Sequence, residues 1–169
     1  DVTRHVLAGR RLLREHYARL YASEEDRDRT TDYPLALPSM AQMRTTRAIA
    51  GRRVLQEADA EARFPDSIGL APDWRRAGPV WEIPYGALLP QAVGGLLAAG
   101  RCIASRGDAW HVTRVIPVAA LTGQAAGTAA AMAAQAGTGP EDLDPAALQA
   151  ALRAAGVKLH RSELPEAGE

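Results

Sequence analysis

The sequence predicts a mixed α+β fold, and three features carry that prediction. Residues 5–22 place Val6, Leu13, Tyr17, Leu20 and Tyr21 at helical spacing, with Arg10, Arg14 and Arg19 available for the wet side. Residues 96–100 (LLAAG) form a short continuous apolar run, the mark of a strand covered on both faces. Residues 116–136 are dense in Ala, Gly and Thr and carry no charge, as expected of a long helix packed closely against its surroundings.

The remaining elements follow in order. Residues 23–33 (SEEDRDRTTDY) are polar and read as a surface loop, and Pro34 and Pro38 extend the break. Residues 39–57 point two ways. Ser39 with Gln42 can form a capping box, while Thr45, Thr46, Ile49 and Val54 favour a strand with Gly51 at a turn or bulge. A short helical turn is expected over 57–63, then a loop with a short strand at 67–70. VWEIPY (80–85) is extended, with Pro84 confining it to an edge or an end. Gly94-Gly95 marks a turn and 101–113 a polar loop. Pro117 suits the first turn of the long helix, which Gly137, Gly139 and Pro140 end. Gly123, Gly127 and Ala131 form a side-chain-poor stripe on it, expected to pack. Asp144 caps a last helix with Pro145 at its first position, Leu148 and Leu152 inward, and Gly156 at its close. The division expected is 1–80, 81–160 and a tail over 161–169.

Composition excludes several function classes. At 169 residues, with 47% hydrophobic and 24% charged, the chain can build one ordinary core. Lys+Arg and Asp+Glu are 20 each, without the basic excess of a nucleic-acid binder. Cys102 is the only cysteine and the four histidines are scattered without an HExxH pattern, so no disulfide framework and no metal site is expected. Residues 115–140 are uncharged and long enough to span a bilayer. Their Ala, Gly, Thr and Gln content favours a buried helix and no membrane association. No signal-peptide pattern opens the chain, and a cytoplasmic location is expected. No GxGxxG, GxxxxGK[ST] or GxSxG occurs. Gly137 and Gly139 begin such a fingerprint, but Asp142 stands in the third place and a helix precedes them.

The informative unit is 96–131. A strand end at a glycine, a loop, and then a helix N-terminus with free N–H groups suit an anion or an electron-rich ring edge. Its residues are LLAAGRCI (96–103), RVIP (114–117) and GQAAGTAAA (123–131). Upstream stand MRTTRAIAG (43–51), FPDSI (64–68) and IPYGALLP (83–90). Together and in this order, over roughly residues 5–157, they resemble the C-terminal part of the FAD-dependent oxidoreductase family. The N-terminal half of that family carries a two-dinucleotide-binding fold of the glutathione reductase type.

The resemblance implies that the chain is the C-terminal portion of such a flavoprotein. Residues 81–160 would return to the FAD domain and 1–80 would cover a small-molecule substrate. It implies FAD as cofactor, with Gly100, Arg101, Cys102, Arg114, Val115 and Ile116 at the flavin. Main-chain N–H groups there would stabilise charge at the N1/O2 edge. The expected reaction is hydride transfer from a substrate C–H bond to flavin N5. The glycine-rich half has no counterpart here. The expected partner is therefore a chain or segment carrying the GxGxxG half, as in a hetero-oligomer or a trimmed protein, and this chain by itself is expected to be inactive. The alternative is a non-catalytic interaction or regulatory subunit derived from a flavoprotein tail.

Each candidate has a plainer alternative. His111 could act as general acid/base or be a surface histidine. Relatives often carry Thr-His-Glu-Ala where this chain has Arg106 to His111. Arg44 and Arg47 could clamp a substrate carboxylate or pair with nearby acids. Asp108 could orient a substrate hydroxyl or partner Arg106. Tyr85, Trp110, Trp74 and Trp81 could wall a planar substrate or pack in the core. Cys102 is expected as a buried, inert thiol, with a covalent flavin link as the other possibility. Arg114 opens a helix where the dipole disfavours a cation, which points to an anionic neighbour.

Overall fold

The computed structural model describes residues 2–22, 30–31, 33–36 and 43–165. Most of the loop expected over 23–33, the Ser39/Gln42 box and the end of the tail lie outside them. The chain forms two compact units, Asp1–Arg44 and Thr45–Glu169.

In the first unit, α1 spans Val2–Ala22. No residue of it is buried, but Val6, Leu13, Tyr17, Leu20 and Tyr21, the stripe expected from spacing, are all half-buried. Arg11 and Glu15, four apart on the wet face, pair at 2.8 Å.

The second unit is built on an antiparallel hairpin, β1 (Ser67–Pro72) with β2 (Val80–Pro84). Leu70 faces Glu82 and Ala71 faces Trp81, and a bulge interrupts the ladder between Ser67 and Leu70. Pro84 ends β2, where its missing N–H costs no ladder bond. Three helices follow, α2 (Gly107–Thr113), α3 (Ile116–Ala136) and α4 (Pro145–Ala154). The fold is therefore mixed α+β, as the sequence predicts.

The long helix begins and ends where its punctuation requires. Pro117 stands in its first turn, and Gly137 closes it in the left-handed region at φ 68°. Its buried face is Val118, Thr122, Ala125, Ala129 and Ala133. Gly123, Gly127 and Ala131 point the other way and are exposed, so the expected packing stripe is not the one used within this chain. The small buried face lets the hairpin approach closely. A Cβ on Gly69 of β1 would lie 2.6 Å from a methyl of Leu121.

Around this contact sits one core that includes Leu55, Ile68, Trp81, Ile83, Ile103, Val112, Leu148 and Leu152. Each large apolar side chain fully buried there contributes roughly 1.5–3 kcal/mol. Polar ties finish the packing. Gln149 of α4 donates to the carbonyls of Pro65 and Ser67 at 2.8 and 2.9 Å. The buried Glu82 carboxylate accepts from Phe64 N (2.8 Å) and Arg161 N (3.2 Å) and meets His160 Nδ1 at 2.9 Å. Residues 161–163, expected in a frayed tail, accordingly form a 3-10 turn.

Two expectations around the informative unit change. Residues 96–99 form no ladder; Leu96 is 49% exposed, and Ala98 donates a single bond, to Leu88 O. A central strand needs a neighbour on each side, and the described residues supply none. The stretch 101–113 is not a loop. It holds a 3-10 turn, Gly100–Cys102, and then α2. No single helix among the described residues is long and apolar enough to cross a membrane.

Candidate functional site

The turn Gly100–Cys102, helix α2 and the start of α3 come together in space. Gly100 adopts φ 74°, a conformation that glycine enters without the Cβ penalty. Its N–H donates to Thr122 Oγ1 of α3 at 2.9 Å. That amide is therefore taken and cannot also serve a ligand. The carbonyl of Arg101 accepts the indole N–H of Trp110 at 2.8 Å, and the carbonyl of Cys102 accepts from Ile49 N at 2.9 Å. The Cys102 thiol is exposed, correcting the expectation of a buried one. It sits on a surface turn because the apolar run before it is not a covered strand.

Helices α2 and α3 meet at 84°. The corner is Arg114 and Val115. Arg114 caps α2, donating its N–H to Trp110 O at 3.1 Å, and Val115 is extended and opens α3. Ile116 is 85% exposed. Among the described residues the N–H groups of Val115, Ile116 and Val118 make no hydrogen bond, as the first turn of a helix dictates. Beside them the Nε of Arg114 is buried without a partner. An unpaired buried donor is costly, about 1–3 kcal/mol, more when charged. No carboxylate occurs from residue 109 to 140, so neither α3 nor the end of α2 supplies an acid to these donors.

The remaining candidates separate. Tyr85 is buried and its hydroxyl donates to Pro140 O at 2.8 Å. Burial pushes its pKa up to about 12, and it belongs to the core, not to a substrate surface. Trp81 is likewise buried, its indole bonded to Gln56 O at 3.3 Å. The four aromatic residues therefore form no wall. Trp110 is half-buried and spends its one donor on Arg101. Asp108 does not partner Arg106, whose guanidinium instead bonds Gln56 Oε1. Both Asp108 oxygens accept from Arg75, at 2.6 and 2.8 Å. This Arg75 fork holds the Asp108 carboxyl below its ordinary range. His111 is exposed on α2. Arg44 and Arg47 are exposed, belong to different units, and pair with no acid among the described residues.

Sequence reasoning missed Arg75. The signal was present in Asp73-Trp74-Arg75-Arg76, where an aspartate can accept from the backbone two residues on. That bond forms, at 3.0 Å.

The outer face of α3 lines a groove of about 540 Å³ with Gly95, Leu97, Ala126, Gly127, Ala130 and Pro140 among its walls. It is uncharged and apolar. A family model described as FAD dependent oxidoreductase matches residues 1–152. No curated protein and no solved structure matches the chain.

Proposed function

Because the chain belongs to the FAD dependent oxidoreductase family, we propose that it supplies the flavin-edge side of an FAD site, completed by a polypeptide carrying a GxGxxG half. The observation that carries this is the corner at 114–118. Three backbone N–H groups without a bond among the described residues open α3, the adjoining Arg114 carries a buried Nε without a partner, and no carboxylate occurs from residue 109 to 140. Such donors suit a ring edge that gains negative charge, and they need no reorganisation when the charge arrives.

The residues present fit one end of the cofactor and not the other. Nothing in the sequence grips a pyrophosphate, since no glycine-rich fingerprint precedes a helix. The partner half would pack on the outer face of α3, where Gly123, Gly127 and Ala131 leave the backbone open to close approach. Bound FAD would supply the two-electron acceptor for a hydride removed from a substrate C–H bond.

The chain's own residues then do the following. Arg114 and the amides of Val115, Ile116 and Val118 hold negative charge at the ring edge. The stretch 1–80 belongs to the substrate-covering region and its supports. Arg47, exposed and without an acid partner among the described residues, attracts an anionic group on the substrate. His111 is the acid/base candidate, since Asp108 is occupied by Arg75. Arg101 and Cys102 line the turn that closes the site.

The test is FAD retention by the assembled protein carrying Arg114→Ala. One charged donor removed is expected to weaken FAD binding or slow flavin reduction about tenfold or more. Parent-like FAD affinity and turnover would refute the assignment. In that case the non-catalytic alternative gains, with Arg114→Ala altering only partner binding.

A further inference from the structure

Residues 73–76, in the turn between β1 and β2, grip α2 at two points. Arg75 is the centre of the first. Its guanidinium donates to Asp73 from Nε and Nη2 at 2.8 and 2.9 Å, and to Asp108 from Nη1 and Nη2 at 2.6 and 2.8 Å. The Asp73 side chain is fully buried, and it also accepts the N–H of Arg75. A planar fork of five donors can span two carboxylates in this way; a lysine cannot. The second point is Trp74, whose indole donates to His111 O at 3.2 Å. The turn thus holds α2 near both ends.

Helix α2 passes the constraint on. Trp110 holds the carbonyl of Arg101, and Gly100 in the same short turn is pinned to Thr122 of α3. A helix of seven residues cannot hold itself in water, so its ties set its orientation. Without the Arg75 guanidinium, Asp108 would lose both of these hydrogen bonds and Asp73 would keep, of its side-chain donors, only Arg76 Nε, at 3.2 Å.

We infer that Arg75 is a positioning residue: acting through α2, it fixes the Gly100–Cys102 turn and the Arg114 corner, so that the hairpin sets the geometry of the flavin edge. The link to flavin rests on the function proposed above; the mechanical link does not.

The test uses the 169-residue chain with Arg75→Gln and, separately, Asp108→Asn, which keeps the Arg75–Asp73 pair should the first variant fold poorly. Amide hydrogen exchange over residues 99–106 is expected to quicken about tenfold in each, while residues 80–84 and 148–152 exchange as in the parent. With FAD bound in the assembled protein, both variants are expected to lower the flavin midpoint potential, because donors leave the ring edge. Unchanged exchange over 99–106 overturns the inference. Faster exchange with an unshifted potential overturns its link to the flavin. Should the assembled parent take up no FAD, the proposed function fails, and the exchange result still decides whether Arg75 holds the turn.

Discussion

The hydroxyl of Thr122 accepts the N–H of Gly100 at 2.9 Å while donating to Val118 O at 2.8 Å. One buried side chain therefore joins the left-handed turn at 100 to the first turns of α3. It satisfies an amide that would otherwise be unpaired in a half-buried position.

Thr122→Val keeps the shape and removes the acceptor. It is expected to destabilise the fold by about 1–3 kcal/mol, the cost of leaving a buried donor unsatisfied. Thr122→Ser should stay close to the parent. Urea unfolding of the two variants checks the difference, and equal midpoints would contradict it.

Acid should loosen the grip of the β1–β2 turn. The hydrogen bonds of Arg75 hold Asp73 at about 2, below its ordinary 3.8. A depressed folded-state pKa stabilises above the unfolded value and is lost as pH falls through the folded one. Stability is therefore expected to fall as pH drops from about 4 towards 2. The slope should flatten in Asp73→Asn, which lacks the titrating group. Urea midpoints measured across this range give the comparison; equal slopes would show that Asp73 is not coupled to folding.

Much of this architecture was legible because its signals are local. Pro117 and Gly137 bound α3, and Asp144 with Pro145 opens α4, through rules that act within one turn of chain. The half-buried stripe of α1 follows from spacing alone. What failed was non-local. Residues 96–100 read as a covered strand, yet strand neighbours are a property of the surroundings and the described residues provide none. Helix α2 is too short to declare itself by periodicity and depends on Arg75, 33 residues from Asp108. Cys102 looked buried because it follows an apolar run, but that run ends at the surface. Arg114 stood out in the sequence as a cation at a helix start, against the dipole, but the structure makes it the C-cap of α2, where the dipole of that helix favours a cation.

Gly51, the last residue of MRTTRAIAG, is buried and bridges to Pro90. A Cβ there would overlap that of Ala104 and come within 3.2 Å of the carbonyls of Arg53 and Gly86. Backbone cannot yield as a flexible side chain can. Gly51→Ala is expected to cost about 1–3 kcal/mol through overpacking, read as a lower Tm. An unchanged Tm would mean that the segments relax freely.

Asp144 accepts from Ala146 N at 3.0 Å and caps α4. Asp144→Ala should cost about 0.5–2 kcal/mol. Asp144→Ser should recover most of it. Chemical unfolding measures both, and no loss in the alanine variant would show that the cap is idle.

The most direct measurement is a calorimetric titration of FAD into this chain, first by itself and then with a polypeptide bearing the GxGxxG half. The account predicts no stoichiometric binding in the first case and one FAD per assembled pair in the second. One-to-one binding by the chain by itself, or none by the pair, would contradict it.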